Sequence, residues 1–240
     1  MPEEFEVTSE LVGKIEEVLG RGLCQGKGDP SSRMCVEAAV CFAMGLPHGD
    51  NPPCVGGAVR SFKIVLNDAV WPSDISRSAG MGKIAIAQLG SVVLDQDEFT
   101  QRLVEKAIRV LLPQLFREVL PSEWLCLEAA TRCEKRGSLL SASRAANIIS
   151  SVYHRDQETD NSLSYGAVQN VHKAACELGF GRPKVGYAVA KSAAYASLAT
   201  RGSDGALNSK YLVLAADLCY EVLTEMDSPG AVWIRENNWQ

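Results

Sequence analysis

Most hydrophobic residues of this chain recur at the spacing of an α-helix. In the first such segment, apolar residues occupy positions 11, 12, 15, 18 and 19, so they fall on one face of a helix with 3.6 residues per turn. Thr8 or Ser9 can cap the first turn, and Gly20 and Gly22 can end the helix. The pattern predicts an amphipathic helix that buries one side against the rest of the protein.

Further apolar stripes lie between residues that typically begin helices and residues that end them. The start signals are Ser31 or Ser32, Cys54 or Val55, Ser73 or Asp74, Asp95 or Asp97, and Ser122 or Glu123. The stop signals are Gly45-Leu46-Pro47, Trp71-Pro72 and Gly137. Pro113 interrupts the helix that begins near Asp95. It is predicted to end or kink that helix, because proline lacks a backbone donor and clashes with the preceding turn.

From Ser141 onward the predicted helices become rich in alanine and serine, and β-branched runs that could form strands are short throughout the chain. The pattern therefore predicts an all-α protein, a multi-helix bundle or irregular helical array of about eight to ten helices. A polar stretch at 155–163 is a soft boundary. We expect a single domain over 1–240 that could divide into sub-halves 1–155 and 156–240.

Composition narrows the classes of function. The chain has 240 residues, of which 46% are hydrophobic, with a net charge of −5 and a pI of about 5.3. An acidic chain without a run of Lys or Arg is a poor match for nucleic acid. The start of the chain lacks the apolar core of a secretory signal, and no run approaches the roughly 18 apolar residues of a membrane span. We expect a cytoplasmic protein whose eight cysteines are reduced.

The stretch from Met34 to Asp68 holds the densest group of chemically active side chains. Its candidate metal ligands are Cys35, Glu37, His48, Asp50 and Cys54. Thiolate and imidazole are ligands that suit zinc, which is the cofactor such a site would take. The spacing matches no zinc-finger pattern, however, and the chain contains no C-x-x-C pair. We therefore predict no cofactor, and we interpret these side chains as braces of a turn, with a zinc site as the alternative.

Other catalytic patterns are absent or incomplete. Cys35-x-Glu37 and Pro53-Cys54 resemble fragments of a zinc deaminase motif, but Gly57 stands where its last cysteine should be. Neither G-x-S-x-G nor a phosphate-binding G-x-x-x-x-G-K-[ST] loop occurs. A cysteine nucleophile would need a nearby base. The histidines that could supply it are His48, His154 and His172.

Several other residues are candidates for the surface. Arg60, Lys63 and Arg77 are interpreted as cations on solvated helix faces. Trp233 is expected to pack the C-terminal tail onto the bundle. Trp239 lies next to the last residue, where burial is difficult, so it can mark a contact with a partner. The two tryptophans are therefore the candidate partner-binding residues.

The segment Met34–Asp68 resembles a recurrent segment of uncharacterised bacterial all-helical proteins. In those proteins a helical C-x-E is followed by G-x-P, by a D-x-P-x-C turn and by a helix end L-N-D. The matching residues here are Cys35, Glu37, Gly45, Pro47, Asp50, Pro52, Cys54, Leu66, Asn67 and Asp68. This resemblance implies a bacterial protein but no particular activity. The Ala-rich second half is loosely similar to helical immunity-type proteins, which neutralise a toxin by binding it.

These observations favour a protein-binding helical module, such as an immunity or conflict-system partner, over an enzyme. Its partner would be another protein or a second copy of the chain, since neither a membrane nor a nucleic acid is indicated. The alternatives are a metal-dependent enzyme or zinc-stabilised domain centred on Cys35, His48, Asp50 and Cys54, and a structural subunit of a larger assembly. Fold class alone does not choose among them.

Overall fold

The computed structural model describes residues 5–155, 162–179, 185–202 and 205–239. The described residues form α-helices and no strand, with a single isolated bridge between Gly28 and Met34. The prediction of an all-α protein is therefore confirmed. The helices are α1 (Ser9–Arg21), α2 (Val36–Ala43), α3 (Gly57–Asp68), α4 (Asp74–Ala87), α5 (Gln96–Lys106), α6 (Leu112–Val119), α7 (Trp124–Arg136), α8 (Leu139–Arg155), α9 (Ser162–Gly179), α10 (Val185–Ala199), α11 (Lys210–Glu225) and α12 (Pro229–Glu236).

Several predicted helix ends are present at the expected residues. Thr8 caps α1, with its hydroxyl 3.2 Å from the backbone nitrogen of Leu11. Ser73 caps α4, and Asp95 caps α5 by accepting hydrogen bonds from two backbone N–H groups. Gly137 ends α7 in the left-handed conformation that glycine adopts without strain. These signals are local, which is why the sequence alone locates them.

One predicted helix start and one of the two outcomes predicted for Pro113 are wrong. The helix expected from Ser31 or Ser32 begins only at Val36, with Cys35 as its N-cap residue. The residues before it form a loop that is closed by the bridge to Gly28, where a side chain would come within 2.1 Å of the Arg33 carbonyl oxygen. Pro113 does not end its helix, and the kink that was the other predicted outcome stays a prediction. A π-helical segment, Ala107–Leu111, joins α5 to α6, and Pro113 occupies the first turn of α6, where its missing donor matters least.

One hydrophobic core runs through both parts of the chain. The Ala-rich α10 packs against α3 and α9, and α11 packs against α4. The soft boundary expected at 155–163 falls mostly on residues 156–161, which lie outside the described residues. At the end of the chain α12 docks on α4, where the Ser228 hydroxyl donates to the Ala87 carbonyl at 2.7 Å. Among the described residues, none of the helices is both long enough and apolar enough to cross a membrane.

Candidate functional site

A buried ion pair lies where α2 and α3 meet. Glu37 is in the first turn of α2 and Lys63 is in the middle of α3, and both side chains are fully buried. The Lys63 ammonium nitrogen lies 3.0 Å from Glu37 Oε1. The approach is close but poorly directed, because neither Glu37 oxygen nor the Lys63 nitrogen makes a hydrogen bond of acceptable geometry. The interpretation of Lys63 as a solvated cation is therefore wrong.

The helical pattern contains a signal for this burial. Positions 59, 62, 63 and 66 lie on one face of α3, and Val59, Phe62 and Leu66 are all buried there with Lys63. A lysine within an apolar stripe predicts either a snorkelling side chain or a buried partner. The sequence does not indicate which acid would be that partner, because Glu37 is on a different helix.

The buried surroundings of the pair disfavour the charged forms of its side chains. Burial raises the pKa of Glu37, while the positive charges of Lys63 and Arg60 lower it. Removing both ions from water costs several kcal/mol, which their attraction only partly recovers. The pair therefore requires α2 and α3 to meet in one register, and it is not by itself a source of stability.

Asn67 connects the end of α3 to the start of α2. Its Oδ1 accepts a hydrogen bond from the backbone nitrogen of Val36 at 3.3 Å, and its Nδ2 donates to the Cys24 carbonyl oxygen at 2.8 Å. Arg77 supports the same junction, since its Nε donates to the Asn67 carbonyl oxygen at 2.8 Å. Arg77 is itself buried, so its interpretation as a solvated cation is also wrong. These contacts place the L-N-D end of α3 beside the C-x-E start of α2.

A cavity of about 70 Å³ lies at this junction. Its lining includes Cys35, Glu37, Asp50, Asn67 and Asp68. Cys35 caps α2, because its sulfur accepts a hydrogen bond from the backbone nitrogen of Ala38 at 3.4 Å. Burial raises the pKa of the Cys35 thiol to about 11, so it is protonated at neutral pH. Asp50 lies 3.6 Å from the Lys27 ammonium nitrogen.

The remaining two predicted ligands lie elsewhere. His48 is exposed, with its Nε2 3.0 Å from the Gly28 carbonyl oxygen. Cys54 is buried, and its sulfur lies 3.5 Å from the Met44 sulfur. Burial also raises the pKa of the Cys54 thiol. Within the described ranges, no three His, Cys, Asp or Glu side chains are arranged to hold a metal ion, and the zinc site stays a prediction.

Four exposed apolar residues lie close to this turn, and sequence reasoning missed them. Phe42 and Leu46, at the end of α2, are 37% and 36% exposed. Val92 and Val93, in the 3₁₀ turn Ser91–Val93, are 49% and 61% exposed. The two segments are linked through Cys54, which contacts Met44 on one side and accepts a backbone hydrogen bond from Val92 at 3.1 Å on the other. We refer to these four residues as the α2 patch.

The backbone beneath the α2 patch is held by hydrogen bonds that are buried or part-buried. The Ser91 hydroxyl accepts a bond from the Gly56 nitrogen at 3.1 Å. Gln96 accepts from the Ala58 nitrogen and donates to the carbonyl oxygens of Ser91 and Leu94. The exposed apolar side chains are therefore carried on ordered turns, which lose little conformational entropy when they bind a partner.

The two tryptophans at the end of the chain contact the protein's own core. Both are half-buried and pack against the core cluster. The Trp239 indole nitrogen donates to Glu16 Oε1 on α1 at 2.5 Å. Trp233 lines a surface groove together with Phe5 and Val7. Their role in binding a partner stays a prediction.

We compared the chain with protein-family models, with curated proteins and with solved structures, and none of the three comparisons gave a match.

Proposed function

We propose that this protein is a helical recognition module that binds a protein partner through the α2 patch. The observation that carries the proposal is the exposure of four large apolar side chains on ordered turns. The contacts of Cys54 bring together the two segments that carry these side chains, and exposed apolar surface held on neighbouring turns is typical of a binding site. The resemblance of the second half to immunity-type proteins makes a bacterial toxin the first class of partner to test.

The state of the cysteines also favours recognition over catalysis in this region. Burial raises the pKa of Cys35, Cys41 and Cys54. The nucleophilic form of cysteine is the thiolate, so none of the three is prepared to attack a bond at neutral pH. Glu37 is engaged with Lys63 inside the core, where a substrate has no access to it.

The test compares a patch variant with a matched control. In the patch variant, Phe42→Ser is combined with Val93→Ser. In the control, Ile75→Ser alters an apolar residue that is 61% exposed on α4, away from the patch. If the patch binds a partner, the double variant should lose on the order of 2–4 kcal/mol of binding, which is roughly thirtyfold or more in Kd. The control variant should bind as the wild type does.

Tagged wild-type protein, patch variant and control variant would be used for affinity capture from the native host, with mass spectrometry of what is recovered. Sedimentation velocity would measure self-association of the same three proteins. A partner recovered stoichiometrically with the wild type and control, but not with the patch variant, supports the proposal, and so does a dimer that only the patch variant dissolves. A wild type that stays monomeric and recovers the same proteins as the patch variant contradicts it.

A metal-dependent or zinc-stabilised role is the second candidate. The observation in its favour is that Cys35, Glu37 and Asp50 line one cavity. Elemental analysis of protein purified without chelators tests it, with Cys35→Ser as the comparison. Stoichiometric zinc or iron that disappears in the variant would favour this role, whereas folded protein without metal would remove it. The third alternative, a structural subunit, predicts a large native mass in the sedimentation experiment.

A further inference from the structure

A second cluster of reactive side chains lies between α8 and α9. His172 and Cys176 are one helical turn apart on α9, so they share a face of that helix. The Cys176 sulfur lies 3.3 Å from His172 Nε2, and the Ser143 hydroxyl on α8 lies 3.0 Å from the same nitrogen. All three side chains are half-buried. The cluster is therefore ordered by its own contacts and still open to a small molecule.

The chemistry of this cluster is that of a thiol with an adjacent base. A thiol reacts as its thiolate, so a nearby proton acceptor speeds its reactions. Imidazole is the side chain best suited to accept that proton near neutral pH. Ser143 holds the ring from the opposite helix, and its oxygen can accept a hydrogen bond from the protonated Nε2. The i,i+4 spacing of His172 and Cys176 places the base beside the thiol within α9, whereas only the packing of α8 against α9 brings Ser143 to them.

The other cysteines are in different surroundings. Burial raises the pKa of Cys24, Cys35, Cys41, Cys54, Cys133 and Cys219. Cys126 is buried in the core. Cys24 is half-buried like Cys176, but its sulfur lies 3.4 Å from the Arg33 carbonyl oxygen rather than beside a base. The structure therefore distinguishes Cys176 from the other cysteines of the chain.

We propose that Cys176 is a site of reversible thiol–disulfide exchange with small disulfides, and that His172 accepts the thiol proton. In the first half of the step, the proton passes from Cys176 Sγ to His172 Nε2. The thiolate then attacks one sulfur of the disulfide, so that a new S–S bond forms at Cys176 as the bond within the reagent breaks. The departing thiolate takes the proton from the imidazolium. Cys176 is oxidised to a mixed disulfide, and half of the reagent is reduced to a thiol.

The experiment uses oxidised glutathione as the probe on the folded full-length protein. Mass spectrometry of peptides identifies the modified cysteine, and the rate of adduct formation is followed at pH 7. We expect one fast adduct, at Cys176, which Cys176→Ser abolishes and which the matched control Cys24→Ser retains. A fast adduct at a different cysteine, or none in the folded protein, would overturn the proposal.

The role of His172 has a separate readout. We expect His172→Gln to slow the reaction at pH 7 by about tenfold or more, because the thiol loses its proton acceptor. The ratio of the two rates should fall towards one as the pH is raised, because hydroxide then replaces the imidazole as the proton acceptor. Lys173 and Glu177 flank the thiol on α9 and Arg144 flanks Ser143 on α8. These charges, like those on the other helices packed against α9, are the same in the wild type and in His172→Gln. Their effect therefore cancels in the ratio of the two reaction rates.

Equal rates at pH 7, or a ratio that does not change with pH, would show that His172 has only a structural role. If His172→Gln does not fold, the wild type still provides a test. Cys176 in the native protein should then react about tenfold faster at pH 7 than the same cysteine in urea-unfolded protein. A slower or equal native rate would contradict the proposal.

Discussion

Replacing either member of the Glu37–Lys63 pair alone is expected to destabilise the protein by about 3–5 kcal/mol, because each change leaves the other group buried without a counter-charge. The variants are Glu37→Met and Lys63→Met. The double variant Glu37→Met/Lys63→Met should recover most of the loss, since an apolar pair of similar volume avoids the cost of burying two ions. Urea unfolding of the wild type and the three variants gives the coupling free energy of the pair.

A matched surface pair serves as the control for this cycle. Glu10 and Lys14 form an exposed ion pair at 2.7 Å on α1, and Glu10→Met should change the free energy of unfolding only slightly. If Glu37→Met and Lys63→Met were both as stable as Glu10→Met, burial of an unpaired charge would not be destabilising here, and the prediction would be wrong. Additive losses in the double variant would likewise contradict a coupled pair.

The Lys63→Met loss should also depend on pH. Burial raises the pKa of Glu37, and Lys63 is the largest influence that lowers it, so the pKa rises further in the variant. When folding raises the pKa of a carboxyl group, the folded state binds that proton more tightly than the unfolded state does. The free energy of unfolding therefore falls as the pH rises from the unfolded-state pKa to the folded-state pKa. The loss measured by urea unfolding should therefore be larger at pH 8 than at pH 5. A loss that grows towards pH 5 would contradict this assignment.

Asn67→Ala is expected to cost about 2–4 kcal/mol, because it leaves the Val36 N–H and the Cys24 carbonyl without their partners in a buried junction. Asn67→Asp keeps an acceptor for Val36 but loses the donor to Cys24, and it adds a charge beside Asp68, so it should also be destabilised. Thermal and urea unfolding measure both losses. Hydrogen exchange should show the Val36 amide losing protection more than the amides of α11.

The matched control is Asn147→Ala, on the exposed face of α8, where little change in stability is expected. If Asn67→Ala unfolds at the same urea concentration as this control, the hydrogen bonds of Asn67 do not hold the junction. Loss of Val36 protection without a change in global stability would limit the role of Asn67 to capping α2.

The candidate site was only partly predictable from the sequence. The stretch Met34–Asp68 was identified as the densest chemical region, and Cys35, Glu37 and Asp50 do line one cavity. His48 and Cys54 lie apart from that cavity, because the loop after α2 directs one towards Gly28 and the other towards Met44. The positions of His48 and Cys54 cannot be read from the local sequence, because they depend on the path that the loop takes across the helices.

The sequence by itself determined the class of the fold and many of its helix ends. Apolar spacing and capping residues such as Thr8, Ser73 and Gly137 act within one turn of chain, so they can be recognised without knowing the neighbours. Tertiary structure decided which polar groups on different helices meet, namely Glu37 with Lys63, and Ser143 with the His172–Cys176 pair of α9. It also decided where α2 begins, since Asn67 on α3 binds its first N–H group. The physical reason is that such pairings depend on the angle and register at which separate helices pack, which the periodicity of any one helix does not specify.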